Sequence, residues 1–245
     1  MRLLAFPALD EGRHVARLAA FADAVVTAGI VDRAVLLDGG SGDGTVERAR
    51  QHHLQVVDGP RLAGRPLQGK GDAVAQLLRW TDADEVVLLD ADVEGLNPDS
   101  VRRLAAGLGG DVVLVKGVCR RLDPATGTVR SGRVSELVAR PALELLGSRL
   151  AGLRDPLSGQ VAVRTAAVRD LELHPGYGLE LSMLLGVEAR AGASAVAEVE
   201  LEPIAHRHKD VDELSVVARE VLAVALHVAA RRGAPLATVT GPERP

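Results

Sequence analysis

The sequence predicts an α/β fold with a mostly parallel central sheet flanked by helices, on three observations. Apolar runs at 2–6, 34–37, 54–57 and 86–89 alternate with stretches of helical periodicity, the βαβαβαβ order of a parallel sheet with right-handed crossovers. The run Val86-Val87-Leu88-Leu89 has no polar alternation, as a strand buried on both faces requires. Glycines and charged residues gather after these runs, at the carboxyl ends of the strands, where open α/β sheets bind ligands.

The first run ends at Pro7-Ala8-Leu9-Asp10-Glu11-Gly12, and Val15, Leu18, Ala19, Ala22, Val25 and Val26 then recur at helical spacing. The second ends in Asp38-Gly39-Gly40-Ser41-Gly42-Asp43-Gly44-Thr45, ahead of a helix from Val46. Such a turn either lets backbone approach a ligand and aims helix N–H groups at phosphate, or is an ordinary turn. Its spacing is not the dinucleotide fingerprint. The third run leads through Asp58-Gly59-Pro60 and a loop at 61–72 to a helix at 73–80. Lys70 lies in that loop between two glycines, where its ammonium can reach a phosphate, although the hydroxyl and spacing of a P-loop are missing.

The fourth run delivers Asp90-Ala91-Asp92. If the chain is still extended there, both carboxylates point the same way and repel unless they share a proton or a cation. A hard divalent metal that also binds phosphate oxygens suits such a pair. The alternative is that the two acids cap the next helix, but Asn97-Pro98 supplies a helix start of its own.

Beyond residue 110 the pattern changes. A strand at 111–118 carries Lys116, and a turn falls at 123–128. A helix start follows in 131–140, with Ser131 or Ser135 as cap. There the backbone N–H groups, a hydroxyl and the Arg133 guanidinium can converge on an anion, unless Arg133 simply faces solvent. A loop at 155–160, a short strand at 161–164, a loop at 174–178, a helix at 179–191 and a strand at 195–201 come next. The last runs into Ile204-Ala205-His206-Arg207-His208-Lys209, and an amphipathic helix spans 211–230. Residues 234–245, with three prolines, read as a flexible tail. No repeat or linker divides 1–233, so one domain is expected.

Composition excludes several classes. A net charge of −4 and a pI near 6.0 argue against a nucleic-acid binder, and aromatics at 2% leave few platforms for stacking bases. Cys119 is the only cysteine, which points to a reducing compartment. No stretch approaches the roughly 20 apolar residues of a membrane span. A cytoplasmic protein is expected. The only lysines are Lys70, Lys116 and Lys209.

With these stretches in place, the sequence resembles the family 2 type of glycosyltransferases with the GT-A fold (the nucleotide-diphospho-sugar transferase fold), and more closely the glucosyl-3-phosphoglycerate synthases. The resemblance runs from about Leu3 to Arg232. Phe6-Pro7-Ala8-Leu9-Asp10-Glu11, Leu37-Asp38-Gly39-Gly40-Ser41, Gly69-Lys70-Gly71-Asp72-Ala73 and Leu89-Asp90-Ala91-Asp92 are of a kind shared by many nucleotide-sugar enzymes. Leu114-Val115-Lys116 and His206-Arg207 also match. The runs from Gly132-Arg133-Val134-Ser135 to Pro141 and from Pro175-Gly176-Tyr177-Gly178 to Glu180 are far more specific.

The resemblance implies a nucleotide-binding half, 1–110, and an acceptor-binding half, 111–233. Pro7, Ala8, Leu9 and Glu11 would line a uridine pocket with Gly39 and Lys70 beside them. Asp90 would face the ribose with Ala91 next to it, and Asp92 with His206 would hold Mg²⁺ or Mn²⁺ on the diphosphate. Lys70 and the metal would neutralise charge on the departing nucleoside diphosphate. Glu180 would act near the acceptor hydroxyl; read locally, it is a first-turn acid favourable to the helix dipole. Likewise, His206 is locally a strand-end histidine bonding backbone. Gly132, Arg133, Val134, Ser135, Arg207 and His208 would bind the acceptor.

The expected reaction is retaining transfer of glucose from UDP-glucose to 3-phosphoglycerate. The expected partners are a nucleotide-sugar donor, a small phosphorylated acceptor and a second copy of the chain, with no nucleic acid and no membrane. The family pattern has an arginine two places before the metal histidine and an asparagine two places after it, and this chain has Ile204 and His208 there. Alternatives are another donor or acceptor, such as GDP-mannose, a sugar-phosphate nucleotidyltransferase, or a non-catalytic nucleotide-binding module. A nucleotidyltransferase would place its glycine-rich phosphate loop after the first strand, where this chain has Pro7-Ala8-Leu9-Asp10-Glu11.

Overall fold

The computed structural model describes residues 1–119, 121–122, 129–130, 132–204 and 210–233. The predicted turn at 123–128, Ser131, His206, Arg207, His208, Lys209 and the tail at 234–245 lie outside the described residues.

The first half follows the predicted alternation: β1 (Arg2–Ala8), α1 (Val15–Thr27), β2 (Arg33–Asp38), α2 (Thr45–Gln51), β3 (Gln55–Asp58), α3 (Gly59–Ala63), α4 (Lys70–Trp80), β4 (Glu85–Leu88) and α5 (Pro98–Ala106). Three details differ from expectation. β1 runs on through Pro7 and Ala8, because Pro7 and Ala8 pair in register with Leu37 and Asp38 of β2. The predicted loop after β3 contains α3, capped by the Asp58 carboxylate accepting from Arg61 N at 2.9 Å. Lys70 is the first residue of α4 and not a loop residue. Asn97 does cap α5, in a capping box with Ser100.

Among the described residues, the second half holds β5 (Leu114–Val118), a short antiparallel pair of β6 (Arg121–Leu122) and β7 (Val129–Arg130), a π-helical turn (Ser135–Ala139), α6 (Arg140–Leu145), β8 (Val161–Arg164), α7 (Thr165–Val168), α8 (Leu179–Ala191), β9 (Val196–Glu200) and α9 (Val211–Arg232). Among the described residues the main sheet has seven strands, in the order β3-β2-β1-β4-β8-β5-β9. It is parallel except for β8, which lies antiparallel between β4 and β5. This matches the expectation of a mostly parallel sheet, and the reversed strand is decisive for the site. Because β8 runs backwards, its amino end lies beside the carboxyl ends of its neighbours.

Side-chain alternation sends Leu3, Ala5, Val35, Leu37, Val86 and Leu88 to one face and Leu4, Phe6, Leu36, Val87 and Leu89 to the other. The first face packs against α4, α6, α8 and α9, the second against α1 and α5. Every strand of the centre is therefore apolar on both sides, which explains the unbroken hydrophobic runs. Among the described residues no helix is long and apolar enough to cross a membrane.

Candidate active site

The strand order reverses at β1, which pairs with β2 on one side and β4 on the other, and ligand crevices open at such switch points. Two loops are tied together there. The buried Asp38 carboxylate accepts from Gly40 N at 3.0 Å and Ser41 N at 3.2 Å. Asp10, in the left-handed region at φ 56°, donates its N–H to Ser41 Oγ at 3.0 Å and accepts from Gly42 N at 2.8 Å. Gly39 donates to Ala8 O at 2.8 Å, and a Cβ on it would lie 3.2 Å from that oxygen. Pro7, Ala8 and Gly39 thus sit side by side, with the Leu9 side chain left 58% exposed at the rim.

Beside this slot three charged groups meet. Lys70 Nζ donates to Asp90 Oδ1 at 2.6 Å and to Glu180 Oε1 at 2.8 Å, joining residues 110 apart in sequence. The flanking glycines make this possible. A Cβ on Gly71 would lie 1.9 Å from His174 O, and one on Gly69, at φ 152°, would lie 2.9 Å from Pro175 O. Asp72 N also donates to Pro175 O at 2.8 Å. The start of α4 is therefore docked on the loop that opens α8, and the glycines serve that close approach. Burial opposes the Lys70 ammonium, but the charges of Asp90 and Glu180 outweigh it and hold its pKa above the usual lysine value. Burial likewise works against the Asp90 carboxylate, and Lys70 with the Gln160 amide reverses this and holds it below the usual range.

Asp90 and Asp92 do not share one strand face as expected. β4 ends at Leu88, and Ala91 and Asp92 lie in a turn. The chain turns there instead, with Val93 N donating to Asp90 O at 3.4 Å, while the Asp90 carboxylate bonds Lys70 and Gln160. Asp92 instead approaches Glu11, whose carboxyl pKa is raised, first by burial and then by the Asp92 charge. Arg17 fixes the turn by donating to Ala91 O at 2.7 Å. On its far side a Cβ on Gly95, at φ 101°, would lie 2.6 Å from Pro203 O, so the turn packs on the segment leading to His206.

The predicted acceptor stretch is a helix start. Gly132 O accepts from Glu136 N at 3.0 Å, Gly132 and Val134 are buried, and Arg133 is exposed. Ser135 is not a cap: its hydroxyl is buried within the helix and donates to Asp155 Oδ1 at 2.9 Å. The π-helical turn over Ser135–Ala139 had no signal in the apolar periodicity, and such turns often mark functional sites.

Two groups were not assigned a role from sequence. Gln160, 2% exposed, contacts Asp90 twice. Lys116, 1% exposed on β5, donates to Ser158 O. Burial pushes its ammonium below the usual lysine value, against the pull of Glu180 and Asp155. A lysine inside an apolar strand was a legible signal for the second; nothing local marks the first.

No family model matches the chain. Curated relatives do. The chain is 38% identical over 210 residues to glucosyl-3-phosphoglycerate synthase of Mycobacterium tuberculosis, covering 81% of this chain and 64% of that protein. It is 34% identical over 232 residues to the synthase of Mycolicibacterium paratuberculosis, covering 90% of this chain and 70% of the relative. The chain belongs to the glucosyl-3-phosphoglycerate synthase family. A crystal structure of the M. tuberculosis synthase superposes with a TM-score of 0.83 at 33% identity, covering 96% of this chain and 81% of that one. That synthase has been solved with Mn²⁺, UDP and glucosyl-3-phosphoglycerate, with Mn²⁺, UDP-glucose and phosphoglyceric acid, and with Mg²⁺ and UDP. The shared architecture is the GT-A-like fold.

Ile204 stands where the resemblance to this family implies an arginine. Ile204 is 3% exposed and packs in the apolar cluster with Ala91 and Val93, so its side chain serves the core under the acidic turn. A fixed cation is therefore missing from that place. Among the described residues no group of three metal-binding side chains is present. Glu11 Oε2 is buried without a hydrogen-bond partner among the described residues, and a hard divalent cation fits the oxygen-donor chemistry of a carboxylate so placed.

Proposed function

We propose that the chain is a retaining glycosyltransferase that moves glucose from UDP-glucose to 3-phosphoglycerate and requires Mg²⁺ or Mn²⁺. The observation that carries this reading is the Lys70 bridge between Asp90 and Glu180 at the sheet's switch point, since it unites two of the general nucleotide-sugar motifs with the more specific run that ends at Glu180. The M. tuberculosis relative has been solved with Mn²⁺, UDP-glucose and phosphoglyceric acid, and the chain spans about 64% of the length of that curated relative.

In this reading Pro7, Ala8, Leu9 and Gly39 form the wall for the uridine, Glu11 borders it, and Asp90 with Ala91 faces the ribose. Asp92 and His206 would hold the metal, which when bound neutralises diphosphate charge. Two of the three Lys70 ammonium protons are directed at Asp90 and Glu180, which leaves the third for a phosphate oxygen of the donor. Glu180 lies next to that ammonium and borders the acceptor hydroxyl. As the bond from C1 to the phosphate oxygen breaks, the acceptor oxygen bonds C1 on the same face, and its proton passes to the leaving phosphate. Arg133, exposed at the helix start, with the backbone of Gly132, Val134 and Ser135, meets the acceptor's phosphate or carboxylate; Arg207 and His208 complete that side. The chain forms one domain over 1–233 with a donor half and an acceptor half, works in the cytoplasm and assembles as a homodimer.

A crossed screen of nucleotide sugars against phosphorylated acceptors, with Mg²⁺ or Mn²⁺ and products read by mass, tests the reading. Glucosyl-3-phosphoglycerate is the expected product. Ready glycosylation of another acceptor with none of 3-phosphoglycerate would leave only the glycosyltransferase class. UDP binding without turnover would favour a non-catalytic module.

A further inference from the structure

We infer that Gln160 is a positioning residue for the nucleotide-sugar donor, acting by locking the Asp90 carboxylate and the backbone that carries it. The inference rests on the reading of Asp90 as a donor-binding acid.

Gln160 sits at the amino end of β8, the one reversed strand, and so faces the carboxyl end of β4 across a sequence gap of 70 residues. Its side-chain oxygen accepts from Asp90 N at 3.0 Å and its amide nitrogen donates to Asp90 Oδ2 at 3.1 Å. Its own backbone is fixed just as fully: Gly117 N donates to its carbonyl at 2.8 Å, and its N–H donates to Ser158 Oγ at 3.2 Å. The residue before it closes the remaining side, for a Cβ on Gly159 would lie 2.1 Å from Asp90 Oδ2.

Asp90 is thus held at three points, by Lys70 on one oxygen, by Gln160 on the other, and by Gln160 again on its backbone N–H. A carboxylate fastened in this way cannot turn without breaking a hydrogen bond. Its ordering cost is met when the chain folds and not when donor binds, which is how preorganisation raises affinity. Gln160 is 2% exposed and its functional groups point at Asp90, so it reaches the donor only through that acid. As a neutral amide it can serve both the N–H and the carboxylate oxygen, a combination that needs one acceptor and one donor on the same side chain.

The test is calorimetric titration of UDP in the presence of Mn²⁺ into the parent protein, Gln160→Met, Asp90→Ala and the double variant. Met keeps the length and apolar volume of the side chain and removes both hydrogen bonds. Gln160→Met is expected to weaken UDP binding about tenfold, the scale of outer-shell effects, with the acceptor KM unchanged. In the Asp90→Ala background the same substitution should have no further effect, as a residue acting through Asp90 requires. Should Gln160→Met not fold, Gln160→Asn, polar and smaller but too short to make both contacts, is measured the same way and should also weaken UDP binding. If the parent binds UDP and Gln160→Met (or Asn) binds it equally well, or if the loss is as large without Asp90, the inference is wrong while the donor reading stands. If the parent does not bind UDP with Mn²⁺ at all, the donor reading itself fails.

Discussion

In residues 1–110 most polar groups at the carboxyl edge of the sheet are held by near neighbours or by the next loop along, with Arg17 reaching Ala91 as an exception. Asp38 serves Gly40 and Ser41, Asp43 serves Thr45, Asp58 caps its own helix, and Asp72 is held by Arg65, Gln68 and Gln76. In residues 111–233 the corresponding bonds reach across the fold: Lys116 to Ser158, Ser148 to Glu188, Asp155 to Glu198, Gln160 to Asp90 and Glu180 to Lys70. Turn chemistry and capping act within a few residues, so the first half is close to self-assembling as a set of motifs. The second half places its groups only after the strands have found their order. The two meet at Lys70, which belongs to the first half by sequence and to both by contact.

That makes Lys70→Ala the sharpest break. Because the residue is the first of α4 and bridges two carboxylates, its loss should lower kcat/KM by about two decades, the scale of removing one electrostatic contact to a transition state. It should also lower stability by about 2 kcal/mol, reduced from the cost of a fully buried pair because these side chains are partly exposed, or about 4–8 °C in Tm at this chain length. A Tm equal to the parent's would return Lys70 to a free loop lysine and separate the halves again.

Asp92→Ala should act on one half alone. We expect about a hundredfold loss of turnover and of metal-dependent UDP binding, with acceptor affinity unchanged, as read by steady-state kinetics and calorimetry. Full activity of this variant in chelator would remove Asp92 from the metal site. Arg133→Ala is the mirror case: the acceptor KM should rise about tenfold, the value of one charge-assisted contact, while the donor KM stays put. An equal rise in both would mean that Arg133 shapes the crevice and does not touch the acceptor.

The smallest effect is expected from the local network of the first half. Arg65 donates to both Asp72 oxygens, at 2.7 and 3.1 Å, and this hydrogen-bonded partner holds the Asp72 carboxyl below the usual carboxylate range. A depressed folded pKa contributes stability that is present above the unfolded value, about 4, and is lost as pH falls through the folded value. Arg65→Ala should therefore lower Tm by only about a degree or two near neutrality, because solvent screens the exposed guanidinium. The difference should fade on acidification below the ordinary carboxylate range. A gap that stays constant down to strong acid would assign it to packing of the Arg65 stem.

The sequence by itself determined the order of the main strands and helices, the edge of the sheet at which polar groups gather, and the acids and lysine found there. Each of these follows from periodicity and turn chemistry, which act over a few residues: four alternating runs, glycine-rich turns after strands, and Asn97-Pro98 opening α5. The tertiary structure alone decided how those groups are spent. The local rule that would have aimed Asp90 and Asp92 the same way fails because the strand ends at Leu88, and what holds Asp90 lies 20 residues upstream at Lys70 and 70 residues downstream at Gln160. Lys70 between two glycines reads in sequence as a loop lysine able to reach a phosphate, and the glycines are in fact the seat of the 174–176 backbone, since a close approach of two loops leaves no trace in the periodicity of either. Above all, β8 enters antiparallel between two parallel strands, and its direction turns on packing across the whole sheet, which no window of neighbouring residues contains.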